Sequence, residues 1–162
     1  MELLIDGHNL IHALPGIDLA DPDDEARLVE RLRAYCGRTR RHATVIFDRG
    51  LPGGPSRELS SGQVKVIFAP LHTTADRLII SRIEQVSNRG QYLVVSSDRT
   101  IRMAAMARGL QTMTSQEFAE KLQITLHPPA AAPIDEDTRD IYVDDPDELE
   151  DWLRLFTPPD AE

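Results

Sequence analysis

The chain has 162 residues, 41% of them hydrophobic, a single cysteine (Cys36) and a formal net charge of −9. That is enough for one folded domain plus an appendage. It excludes an intrachain disulfide and fits a reducing cytosol. There is no leader-like start and no apolar run near the ~20 residues of a membrane helix, so a soluble, cytoplasmic protein without membrane contact is expected. The acidity is local. Residues 1–127 hold 16 Lys/Arg against 15 Asp/Glu, a net of +1, whereas residues 128–162 hold 2 against 12, a net of −10. A near-neutral body with basic clusters therefore carries an acidic tail.

Leu3–Ile5 reads as a buried strand that runs into Asp6, and Gly7 with Asn9 predicts a tight turn after it, with the Asn9 amide returning to the strand end. Asp21-Pro22 opens a helix with Leu28, Val29, Leu32, Tyr35 and Cys36 on one face. Ala43–Phe47 is a second strand, ending on Asp48, and the Gly- and Pro-rich stretch Asp48–Gln63 reads as loop. Val64–Ala69 is a third strand. Thr73 or Thr74 then caps a helix that turns Ile79, Ile80, Ile83 and Val86 inward and ends near Gly90. Tyr92–Val95 is a fourth strand, Ser97 or Asp98 caps a helix over Arg99–Arg108, and a short fifth strand falls near Leu110–Met113. Thr114 and Glu117 have the capping-box spacing for a helix over Ser115–Leu122.

Strands with little alternation, separated by helices, predict an α/β fold: a three-layer sandwich with a mostly parallel central sheet over residues 1–127. Residues 128–145 read as a Pro/Ala-rich, then acidic, linker. Residues 146–157 read as an amphipathic helix with Leu149, Trp152, Leu153 and Phe156 in one stripe, a surface suited to a protein partner's groove.

Asp6, Asp48 and Asp98 each follow a strand, and parallel strands in an open sheet all end on one edge, where ligands bind. Asp76 shares a helix face with Ile80 and Ile83 and is expected to point toward the sheet beside that edge. Singly, each acid has a structural reading: a turn residue at Asp48, a helix-dipole residue at Asp76, an N-cap at Asp98. Together, like charges at close range need compensation, and no Lys or His stands at a matching strand end. A divalent cation such as Mg²⁺, which takes carboxylate and water oxygens, is the economical answer. The histidines, including His8, His12 and His72, show no zinc-ligand spacing.

For an anionic ligand, Arg49 and Arg57 fall in the loop after Asp48, and Arg99 follows Asp98. Arg38, Arg40 and Arg41 lack local acids and suit phosphate, but precede the second strand and so lie at the opposite edge. Aromatic residues are only 5% of the chain, so backbone-led, weakly sequence-specific nucleic-acid contacts are expected rather than extensive base stacking.

The segments "LLIDGHNLIH", "VIFDRG", "TADRLI" and "VVSSDR", in this order and spacing, resemble the NYN domain, and more narrowly its YacP-like bacterial branch within the PIN-like nuclease group, over about residues 1–125. The resemblance implies a Mg²⁺- or Mn²⁺-dependent endoribonuclease that leaves a 3′-hydroxyl and a 5′-phosphate. By position it implies metal binding by Asp6, Asp76 and Asp98, with Asp48 as a further acid. It also implies a role for Asn9 in fixing Asp6 or a water, and for Thr74 and Ser97 in capping or orienting the acids. RNA is the implied substrate, and some members are associated with ribosomes or tRNA processing. His8, where an aromatic residue is common, and Arg99 depart from the pattern. A second reading is a non-catalytic RNA- or ribosome-binding adaptor that works through the C-terminal helix. A phosphatase-type site lacks a D-x-D after the first strand and a placed lysine. Nothing in the sequence sets an oligomeric state.

Overall fold

Uninterrupted Leu/Ile/Val runs become strands buried on both faces, and helices with one apolar stripe cover them. In the computed structural model, which describes residues 1–18, 20–48 and 53–128, the chain runs β1 (Glu2–Asp6), α1 (Gly7–Ala13), α2 (Asp24–Thr39), β2 (His42–Phe47), β3 (Gly54–Ser61) and β4 (Val64–Phe68). It continues through α3 (Ala75–Gln85), a 3-10 turn (Arg89–Gln91), β5 (Tyr92–Val95), α4 (Arg99–Ala107), β6 (Gln111–Met113) and α5 (Ser115–Leu126). One six-stranded sheet forms in the order β3-β4-β2-β1-β5-β6. β1 pairs in parallel with β2 and β5, β2 with β4 and β5 with β6, and only β3 is antiparallel.

Because side chains alternate along a strand, neighbouring residues feed two separate cores. Leu3 and Ile5 pack with Leu10, Leu28, Leu32, Tyr35 and Phe118 under α1, α2 and α5, whereas Leu4, Ile46 and Val94 pack with Ile79, Ile83, Ile101 and Ala105 under α3 and α4. Tyr35 and Phe118 meet edge-on at 5.2 Å and join α2 to α5. Among the described helices none is long and apolar enough to cross a membrane.

Four expectations change. Residues 54–61 are not loop but strand β3. As an edge strand paired on one side only, it tolerates a polar, Pro-containing sequence that would not serve a central strand. Asp6 is followed not by a tight turn but by helix α1, and Asp6 is both the last residue of β1 and the N-cap of that helix. Helix α3 stops at Gln85, before Gly90, because Val86 turns extended; α5 runs a turn beyond Leu122 to Leu126. The expected linker (128–145, of which only residue 128 is described) and the amphipathic helix (146–157) lie outside the described residues.

Candidate active site

β1 and β2 end beside one another, and α3 and α4 begin there, so Asp6, Asp48, Asp76 and Asp98 meet at the C-terminal edge of the parallel strands. Asp6 is the buried member, 6% exposed. Its Oδ1 accepts from the Asn9 amide at 3.3 Å and its Oδ2 from the Ser96 hydroxyl at 3.0 Å. Burial pushes its carboxyl above the ordinary range, and the charges of Asp76 and Asp48 push the same way against those two hydrogen bonds. The approach of α1 to β2 that places Asp6 depends on Gly7. A Cβ there would lie 2.3 Å from the Phe47 ring and 3.0 Å from the Ile46 carbonyl oxygen.

Asp48, half-buried just past β2, accepts from the Ala75 amide at 2.7 Å through Oδ1 and so ties the end of β2 to the start of α3. Thr74 is the N-cap of α3, its hydroxyl accepting from the Arg77 amide at 3.3 Å. Asp76 does not point toward the sheet as expected; it is exposed. The buried stripe of α3 is Ala75, Ile79 and Ile83, one position round from the face that carries Asp76. Its carboxyl is nonetheless raised, by partial desolvation first and then by the charges of Asp98 and Asp48. Asp98 is the N-cap of α4, with Oδ1 accepting from the Thr100 and Ile101 amides at 2.8 and 3.0 Å. The structural and site readings of Asp98 thus hold at once, because a cap occupies one oxygen of two.

Two serines behind the acids were not singled out from the sequence. Ser96, fully buried, donates to Asp6 and accepts from the Asp98 amide at 3.0 Å, so a single hydroxyl joins the ends of β1 and β5. Its signal was a polar residue ending an apolar strand, which needs a partner when buried. Ser115, also buried, donates to Asn9 Oδ1 at 2.9 Å, the same oxygen that accepts from the Ser97 amide at 3.1 Å. The side chain of Asn9 therefore clamps α1 to the β5–α4 turn and to α5, while its backbone holds Asp6. Ser97 accepts from the Ser115 amide at 3.1 Å and donates to Gln116. His8 packs edge-on against Phe47; its Nδ1 accepts from the Asp48 amide at 3.3 Å and its Nε2 faces Glu25 at 3.5 Å.

Among the described residues, the ion pair is Arg27–Asp21, and the one other close contact of a basic with an acidic side chain is His8 Nε2 to Glu25; neither reaches the four acids. Asp48 Oδ2, Asp98 Oδ2 and both oxygens of Asp76 accept no hydrogen bond from described residues. Also among described residues, no three His, Cys, Asp or Glu groups stand close enough to enclose an ion. The donor set is all oxygen, mutually repelling and unneutralised, which is the chemistry a hard divalent cation takes.

The basic candidates divide. Arg99 is exposed in the first turn of α4 beside Asp98, and Arg49 lies outside the described residues. Arg57 does not sit in a loop on the acidic edge: antiparallel β3 carries it toward the opposite edge, where it lines a depression with His42 and Lys65. Arg38 donates to the Thr125 and Leu126 carbonyls at the end of α5, both at 2.7 Å. Arg41 donates to the Tyr35 hydroxyl at 3.4 Å, and Arg40 is the left-handed C-cap of α2. All three precede β2 and so lie at the edge opposite the acids.

The YacP-like NYN domain model matches residues 3–151. The chain is similar to the crystal structure of Rae1 (YacP) from Bacillus subtilis at 25% identity and a TM-score of 0.66, covering 96% of this chain and 92% of that one. It is also similar to the W164L mutant of the same protein at 24% identity and a TM-score of 0.63, covering 77% and 76%. No curated protein matches.

Proposed function

We propose, since this chain belongs to the YacP-like NYN domain family, within the PIN-like ribonucleases, that it is a metal-dependent endoribonuclease hydrolysing RNA phosphodiester bonds at the acidic edge of its sheet. The observation that supports this most is the meeting of four carboxylates from four segments, two of which, Asp6 and Asp76, are raised partly by the charges of their neighbours, with no described cation paired to any of them.

In this reading Asp6, Asp76 and Asp98 would hold Mg²⁺ or Mn²⁺, with Asp48 assisting. A divalent ion bound there would supply polarisation of the phosphodiester and activation of the attacking water. The protein's own share is placement. Ser96 and the Asn9 amide hold Asp6 from behind. The first turn of α4 holds one oxygen of Asp98 and leaves the other without a hydrogen bond from described residues. Asp48 steadies the first turn of α3, which carries Asp76. Asn9, Thr74 and Ser97 act as positioning residues behind these acids, and Arg99 is placed to meet a phosphate beside Asp98. The nuclease reading concerns residues 1–127; the adaptor reading rests on residues 146–157 and gives the four acids no task.

The test is a Mn²⁺ titration of wild type against Asp76→Asn, following thermal stability and cleavage of a mixed RNA pool. Asp76 is exposed, so its replacement spares the core. The expected result is that Mn²⁺ raises the melting temperature of wild type and supports cleavage, and that both effects are lost in the variant. Equal cleavage by both proteins, or none by either with no response to metal, overturns the proposal.

A further inference from the structure

At the opposite edge of the sheet the face that packs under α3 and α4 turns polar. Ile67, Ile46, Leu4 and Val94 lie under α3 and α4. Two residues back along each strand, the same face carries Lys65, Thr44, Glu2 and Tyr92, with Lys65 beside Thr44 and Glu2 across from Tyr92 in the strand register. Two depressions, of about 460 and 420 Å³, meet there and share Glu2 and Thr44. Arg57 of β3 and Lys65 line the first, and Arg82 of α3 lines the second.

These three cations differ from the arginines that tie down the backbone, though the exposed Arg40, Arg77, Arg89 and Arg99 likewise make no side-chain hydrogen bond with described residues; what sets the three apart is that they line two adjoining depressions. Arg31, Arg33, Arg38 and Arg108 each donate to a backbone carbonyl and so hold the fold together. Arg57, Lys65 and Arg82 are exposed and make no hydrogen bond or ion pair with described residues. The lining acid, Glu2, is half-buried and accepts from the Thr44 hydroxyl at 3.1 Å. Amide donors (Gln63, Asn88) and one half-buried aromatic ring, Tyr92, complete the lining. A row of unpaired cations with amide donors matches the phosphates of a nucleic-acid strand, and a single ring gives one base a surface to stack on.

We propose that this open cationic face binds the phosphodiester backbone of single-stranded RNA, as a second contact surface roughly 16 Å, one strand length, from the acids. The proposal rests on the reading of the chain as acting on RNA, but not on catalysis. A carboxylate edge repels the phosphates of a polyanion, so an RNA strand held by this chain needs cations placed elsewhere.

The test is the affinity of the full chain for a labelled single-stranded RNA, in EDTA so that nothing is cleaved, over a range of KCl. Wild type is compared with the triple variant Arg57→Gln/Lys65→Gln/Arg82→Gln and with the charge-keeping triple Arg57→Lys/Lys65→Arg/Arg82→Lys. Three lost phosphate contacts make the slope of log K against log salt shallower by about 2, equivalent to about 100-fold weaker binding at 0.1 M salt. The charge-keeping variant retains the wild-type slope. An unchanged slope and affinity in the Gln variant, or no RNA binding by wild type, overturns the proposal. So does poly-glutamate that displaces RNA better than an equal length of unlabelled RNA, which assigns the face to an acidic protein segment. A changed slope in a protein that cleaves no RNA with Mn²⁺ upholds this surface and removes the nuclease reading; cleavage with an unchanged slope does the reverse.

Discussion

Replacing Ser96 by Ala deletes one oxygen atom from the interior and leaves two atoms, Asp6 Oδ2 and the Asp98 amide nitrogen, without the partner they have in the native fold. The Asp6 carboxylate loses a hydrogen bond at 3.0 Å and the Asp98 amide loses its acceptor at 3.0 Å. A hydrogen bond to a charged group contributes about 2 kcal/mol and an orphaned buried amide costs about 1 kcal/mol, so S96A is expected to lose about 3 kcal/mol near pH 7. For a domain of this size that is a fall of roughly 10 °C in Tm. The loss depends on pH with a definite sign. The native Asp6 carboxyl is raised above 3.8, so between the unfolded and native values the folded state holds more proton and stability falls as pH rises. The Ser96 bond opposes that rise, so removing it raises the native value further. The wild type–S96A gap therefore widens from acid toward neutral pH. Urea unfolding of both proteins at several pH values in EDTA measures this. A gap below about 0.5 kcal/mol, or one that stays constant from pH 4 to pH 7, would refute the assignment of Ser96 as the hydroxyl that supports Asp6.

Gly7→Ala forces its new methyl to within 2.3 Å of the buried Phe47 ring. It should destabilise by about 2 kcal/mol through overpacking and reduce RNA cleavage more than Ala13→Gly, a change at the far end of the same helix; chemical denaturation and a cleavage assay read both. Asp76→Asn, measured without metal, should melt at or above the wild-type temperature at neutral pH, because a carboxyl raised by partial desolvation and by the charges of Asp98 and Asp48 opposes folding once ionised, and the difference should vanish below the ordinary Asp pKa of 3.8; differential scanning calorimetry at pH 3.5 and pH 7 tests this. Arg38→Gln should weaken the last turn of α5 by about 1 kcal/mol and leave RNA affinity unchanged, as judged by denaturation and by the binding titration, because its guanidinium serves the Thr125 and Leu126 carbonyls.

The meeting of the acids was legible because strand polarity does the geometric work: once β1, β2 and β5 are parallel, Asp6, Asp48 and Asp98 must share an edge. The capping box at Thr114–Glu117 was legible because both of its bonds are local, and both are present. What escaped the sequence was structure whose cause is not local. β3 has no apolar run, since its pairing with β4 and a single bordering strand are enough to hold it. α1 is only seven residues long and opens with glycine, and its N-cap is supplied by a residue that also reads as the end of a strand. The tilt of Asp76 away from the sheet turns on which of two adjacent helix faces docks, a choice of about 100° that the positions of Ile79, Ile80 and Ile83 leave open. Ser96 escapes a sequence reading because the partner that gives it a role, Asp6, lies 90 residues distant.

Those long separations have a consequence for how the protein is made. The bonds that set the acids join Asp6 to Ser96, Asn9 to Ser97 and Asn9 to Ser115, across 90, 88 and 106 residues. During synthesis at about 5–20 residues per second, Asp6 and Asn9 are made roughly 5–20 s before the partners that position them. No fragment that stops before the end of β5 and the start of α4 holds Ser96 and Asp98, so none can assemble the edge. The nascent chain therefore stays without a formed acidic site through most of its own translation, while it is still tethered to the messenger that encodes it, and gains that site only once the end of β5 and the start of α4 are in place.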